Sequence, residues 1–102
     1  MGDLGPARWF AFEATVEVTG SWRFVILPQA TADEIDDRVA LRGGFGSIKV
    51  DVRLGDQEWR TSLLPAAKRE SFFLPLKAAV RDAEGVDDGD VVSIEVRPLD
   101  LA

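Results

Sequence analysis

From Trp9 to Val18 the chain alternates between apolar and polar positions. Phe10, Phe12, Ala14, Val16 and Val18 fall on one side, and Glu13, Thr15 and Glu17 on the other with Trp9 and Ala11. Successive side chains of a strand point to opposite faces, so this spacing predicts a half-buried strand, followed by a turn at Gly20-Ser21. Trp22 to Leu27 predicts a second, more apolar strand that stops at Pro28, which has no N–H to give a ladder. Thr31-Ala32-Asp33-Glu34 has the form of a capping box, in which the Thr31 hydroxyl and the Glu34 carboxylate satisfy each other's free backbone N–H groups. It predicts a short helix ending at Asp37 or Arg38. Val39 to Leu41 is a brief apolar piece, and Gly43-Gly44-Phe45-Gly46 then breaks the pattern.

The alternation resumes with Ile48, Val50, Val52 and Leu54 against Lys49, Asp51 and Arg53. Gly55-Asp56 supplies a tight reversal and Glu58 to Leu64 returns, so the pair predicts a hairpin ended by Pro65. Lys68-Arg69-Glu70 is a polar loop and Ser71 to Leu74 a short buried strand. Lys77 to Glu84 predicts a second helix, opened near Pro75 and closed by Gly85. Asp87-Asp88-Gly89-Asp90 is a turn, and Val91 to Val96 is the last strand, with Val92, Ile94 and Val96 facing inward. Several short strands with two brief helices predict a mainly β fold, a small closed barrel capped by helices. One domain spans residues 9–98, between a flexible N-terminal segment (1–8) and a C-terminal tail (99–102).

Composition removes most catalytic chemistry. Among 102 residues there is no Cys, His or Tyr, and Met1 is the only Met. Disulfides, zinc fingers, thiol nucleophiles, Ser-His-Asp triads and imidazole switches are therefore excluded, and no cofactor or metal is expected. The absence of a signal-peptide pattern, of a membrane-length apolar run and of cysteine leads us to expect a cytoplasmic protein, taken here to be a monomer. The net charge of −6 argues against a nucleic-acid partner. The charge is unevenly spread, however. Between Arg38 and Arg81 nine basic residues stand against four acidic ones, a surplus of +5, while the remainder of the chain carries −11. That cationic middle is the most informative global feature, although exposed Arg and Lys on strands also simply balance neighbouring carboxylates.

The candidate ligand-binding residues are Arg60, Ser62, Lys77, Arg81, Trp22 and Trp59. Arg60 and Ser62, two apart on a strand, share a face; Lys77 and Arg81, four apart on the second helix, do likewise. Were these faces opposed, three cations and a hydroxyl would converge on a phosphate or carboxylate, Arg offering a fork and Lys a point charge. Ordinary surface ion pairs are the plainer account of the same residues. Trp9, Trp22 and Trp59 lie on separate strands, where aromatic residues usually pack the core or a barrel rim. Trp22 and Trp59 would wall a pocket if they flanked the cations.

Gly43–Ser47 lacks the Gly-Lys-Ser/Thr ending and the following helix of a phosphate loop, and so reads as a turn or bulge. Asp87–Asp90 lacks the spacing of a calcium loop. For catalysis only a Ser62–Lys77 dyad or paired carboxylates such as Asp36 and Asp37 remain, and neither has an evident means of activation. No catalytic residue is assigned.

Five segments occur together in a distinctive order: Phe24-Val25-Ile26-Leu27-Pro28, Gly44-Phe45-Gly46-Ser47, Trp59 to Pro65, Phe73 to Arg81, and Gly89-Asp90-Val91-Val92. In them the chain resembles the domain-of-unknown-function family numbered nineteen-oh-five over about Phe10 to Val96. Members are small bacterial and archaeal barrel proteins, sometimes fused to domains of the OmpD-associated, bacteriocin-protection type. The resemblance implies a double-split β-barrel capped by short helices and no particular activity. The leading expectation is a non-catalytic binding module for a small anionic ligand or an acidic partner segment. The alternative is a protein-interaction or regulatory module, related by fold to swapped-hairpin transcription factors.

Overall fold

The computed structural model describes residues 8–39 and 46–99. Seven strands form the sheet: β1 (Phe10–Thr15), β2 (Glu17–Thr19), β3 (Trp22–Ile26), β4 (Ile48–Leu54), β5 (Gln57–Ala66), β6 (Ser71–Pro75) and β7 (Val91–Pro98). Helix α1 (Gln29–Arg38) follows β3 and α2 (Ala78–Glu84) follows β6. The strand order is β1-β7-β4-β5-β6-β3-β2, antiparallel at every step. The long strand β5 belongs to both halves, pairing with β4 through Leu63 and with β6 from Leu64 onward. The two edge strands, β1 and β2, are consecutive in the chain, so the sheet curls into a nearly closed barrel with its seam at Val16.

The predicted single strand Trp9–Val18 is thus two strands. At Val16 the chain leaves β7 for β3. The Val16 N–H donates to the Asp90 carbonyl (2.8 Å) and its carbonyl accepts from the Gly89 N–H (3.0 Å). The corner breaks the alternation: Phe10, Phe12 and Val16 are buried, but Val18, expected on the same side, is exposed.

The core lies inside the barrel. Phe10 and Phe12 of β1 meet Val92, Ile94 and Val96 of β7, the inward residues of β4 (Ile48, Val50, Val52, Leu54), Leu63, Phe72, Leu74 and Val25. Each aliphatic side chain so buried stabilises by about 1.5–3 kcal/mol before the entropy of ordering is counted. Helix α1 closes one end with Ala32 and Ile35. It begins at Gln29, earlier than the capping box predicted, because the Ala32 N–H already donates to the Pro28 carbonyl (3.0 Å) and no side chain caps the helix. Thr31 is therefore inside the first turn rather than in front of it. Helix α2 closes the other end beside the β4–β5 hairpin. There the Glu84 carboxylate accepts from the Asp56 N–H (3.3 Å), and Gly85 ends the helix at φ +63°.

Strand β5 runs through Pro65 to Ala66 instead of stopping at the proline, since Pro65 opposite Phe72 leaves the neighbouring pairs intact. Arg8, within the expected N-terminal segment, pairs with Glu34 (3.1 Å), and the Leu99 N–H donates to the Lys49 carbonyl (3.0 Å). Residues 1–7 and 100–102, and the run from Ala40 to Phe45 with most of the glycine-rich stretch, lie outside the described residues. No described helix is long and apolar enough to cross a membrane.

Candidate functional site

The hairpin register builds one patch on the outer face. Its short Gly55-Asp56 turn sets Leu54 opposite Gln57, and counting back places Arg53 opposite Glu58, Asp51 opposite Arg60 and Lys49 opposite Ser62. On the other side of β4, Arg97 of β7 stands opposite Asp51. Asp51 is the buried acid of this face, at 7% exposure. Its Oδ1 accepts from Arg60 Nε (2.9 Å) and its Oδ2 from Arg97 Nη2 (2.8 Å). Hydrogen bonds from Arg60, then Arg97, hold the Asp51 carboxyl below the usual carboxylate range against the opposing effect of desolvation.

The guanidinium of Arg97 also lies 4.6 Å from the centre of the Trp9 ring, and that of Arg53 lies 3.8 Å from it. Arg53 is neutralised by Glu58 (3.3 Å) and Glu95 (3.7 Å). A shallow depression of about 400 Å³ beside it is lined by Glu13, Arg53, Ser93 and Glu95. Its polar groups are already engaged with one another.

One end of the row keeps unspent donors. Arg60 commits only its Nε to Asp51, and its side chain is 66% exposed, so neither Nη group has a partner among the described residues. Lys49 and Ser62 are adjacent to it, one diagonally across the ladder and one two residues along the strand. Residues facing one another across such a ladder have Cβ atoms about 5 Å apart. Neither the Lys49 ammonium nor the Ser62 hydroxyl has a partner among the described residues. Lys49, Arg60 and Arg97 against Asp51 leave this patch with a local charge of about +2 by formal counting.

The six expected site residues fall into three places. Arg60 and Ser62 share the patch just described. Trp22 and Lys77 belong to neighbouring segments elsewhere, Trp22 opening β3 and Lys77 two residues beyond the end of β6. The Leu76 N–H donates to the Arg23 carbonyl (2.8 Å), which extends the β3–β6 register and brings Lys77 opposite Trp22 on the outer face. Arg81 and Trp59 serve the fold. Arg81 Nε donates to the Leu76 carbonyl (3.2 Å), and Trp59, opposite Val52, packs beside the core with its indole Nε1 buried and without a partner among the described residues. No hydrogen bond joins Ser62 to Lys77, and the barrel wall separates Trp59 from Trp22. Lys49, Asp51 and Arg97 went unnoticed in the pattern, although a short turn at Gly55-Asp56 already implies the first two pairings. Arg97, 46 residues from Asp51, left no local signal. Among the described residues no cluster of three carboxylates could hold a metal ion.

Residues 12–96 match the family described as Domain of unknown function (DUF1905). The chain belongs to that family. The match runs from within β1 to within β7, so both helices and Lys49, Asp51, Arg60 and Ser62 of the outer patch lie inside the matched DUF1905 region, with Arg97 just beyond its end. No curated protein matches the chain.

Proposed function

We propose that this DUF1905 domain is a non-catalytic binding module for a small anion bearing a phosphate or carboxylate group, acting as a cytoplasmic monomer. The observation that carries the reading is the group of unspent donors on the outer face. Lys49, Ser62 and the two Nη groups of Arg60 are neighbours on one hairpin, and among the described residues none of them is committed to another group. Asp51 supports the reading because it anchors Arg60 from behind, so the guanidinium is ordered before a ligand arrives. Arg60 offers a planar fork, Lys49 a point charge and Ser62 a neutral donor between them, the mixture a tetrahedral or planar oxyanion needs.

The test is a thermal-shift and calorimetric titration with inorganic phosphate, pyrophosphate and citrate. A ligand present at a hundredfold excess over its Kd adds about 2.7 kcal/mol, and for a domain of this size that raises Tm by roughly 10 °C or more. The shift is expected to disappear in Lys49→Gln/Arg60→Gln and to persist in Trp22→Ala. A ligand whose shift is the same in the Lys49/Arg60 double variant, or a flat response to all three anions, refutes the assignment.

A further inference from the structure

The opposite half of the barrel carries an apolar trough on its outside. Trp22, Phe24 and Ile26 of β3 lie beside Phe73 of β6, with Phe24 and Phe73 in edge-to-face contact at 5.7 Å. Two depressions share these rings. One, of about 280 Å³, is lined by Thr19, Trp22, Phe24 and Phe73. The other, of about 300 Å³, continues past Phe24 and Phe73 to Ile26, Ala66, Lys68 and Arg69. Trp22 is 57% exposed, an unusual position for the largest apolar side chain.

Cations flank the trough: Lys68 and Arg69 line it beyond Phe73, and Lys77 takes the register position across from Trp22 as the β3–β6 pairing continues through Arg23 and Leu76. Arg69 in turn reaches from the β5–β6 turn over β6 and β3 to Glu17 of β2, donating from Nη1 to Oε1 (3.1 Å) and from Nη2 to Oε2 (2.9 Å). The Arg69 side chain thus crosses the trough, and the internal Glu17 carboxylate clasps the fork that an outside carboxylate would use. The pair is half exposed, so opening it costs little.

We infer that the trough binds an acidic segment of a partner protein carrying two bulky apolar side chains. One apolar side chain fills each depression, one carboxylate meets Lys77, and another displaces Glu17 from Arg69. Charge decides against a second copy of this chain as the occupant. Two copies meeting here would bring like cations together and join two bodies of net charge −6.

The experiment pans a phage-displayed random peptide library on the full chain and titrates the enriched peptide, labelled with a fluorophore, against variants. Enriched sequences are expected to place Asp or Glu around two bulky apolar residues. Trp22→Ala should weaken the peptide by at least about tenfold, as removal of an aromatic anchor does. Lys77→Gln and Arg69→Gln should each weaken it by roughly two- to fivefold, the worth of an exposed ion pair. Glu17→Gln should tighten it, because the internal competitor is gone. Since Trp22 and Glu17 contribute little to the core, their variants should keep the parental Tm, which separates lost binding from lost folding. Any of three binding results overturns the inference: enriched peptides that are basic, affinity unmoved by Trp22→Ala, or Glu17→Gln binding no more tightly than the parent. A dimer by light scattering that Trp22→Ala dissociates would overturn it in favour of a second copy.

Discussion

Replacing Asp51 with Asn keeps the shape of the side chain and removes the charge that holds Arg60 and Arg97 on one row. The two bonds, at 2.9 and 2.8 Å, are charge-assisted, a class worth about 1.5–3 kcal/mol each when well shielded. Both partners are partly in water, Arg60 more so than Arg97, and exposed pairs contribute only about 0–1 kcal/mol. Asn also retains one acceptor. The expected loss at pH 7 is therefore about 1–2 kcal/mol, or roughly 4–16 °C in Tm.

The pH dependence has a definite sign. The Asp51 carboxyl titrates lower in the folded chain than in the unfolded one, so its contribution is present above the ordinary carboxylate range and disappears as pH falls through the folded value. Urea unfolding of Asp51→Asn and the parent should show the full gap at pH 7. Below about pH 4, the range where carboxylates titrate, the gap should narrow because the parent itself becomes neutral at this position. A gap that is absent at pH 7, or as wide at pH 3 as at pH 7, would refute the account of Asp51 as an ionised anchor.

Two further stability comparisons test the fold. Ile35→Ala empties a fully buried position under α1 and should cost about 2–5 kcal/mol, whereas Thr31→Ala should change stability by less than about 0.5 kcal/mol because that hydroxyl caps nothing; paired urea melts decide it. At Gly55 the backbone is left-handed (φ +57°) and a Cβ would collide with the Glu84 carboxylate. Gly55→Ala is expected to cost about 1–2 kcal/mol, and in a double-mutant cycle with Glu84→Ala part of that loss should be recovered, since the displaced side chain is gone while the backbone strain remains.

The alternating segments were legible because a strand's two faces are written at a period of two. Ile48 to Leu54 and Val92 to Val96 declare which side is buried before any partner is known, and Gly85 declares the end of α2 through its missing Cβ. Even half of the cationic patch was implicit. A short turn at Gly55-Asp56 leaves no freedom in placing Lys49 opposite Ser62 and Asp51 opposite Arg60. What local pattern could not carry is anything that depends on which distant strand arrives alongside. The corner at Val16 exists because Gly89 and Asp90 meet it there, so the alternation from Phe10 runs on to Val18 in the sequence but not in the barrel. The register of Lys77 across from Trp22, and the meeting of Arg69 with Glu17, likewise follow from β3 lying between β6 and β2. A small barrel with two capping helices and a cationic middle was readable from local pattern alone, since burial periodicity and turn chemistry act over a few residues. Which cations keep donors without a partner among the described residues, and which aromatic rings stay outside, follows only from the assembled strands, because pairing and burial belong to contacts between segments far apart in the chain.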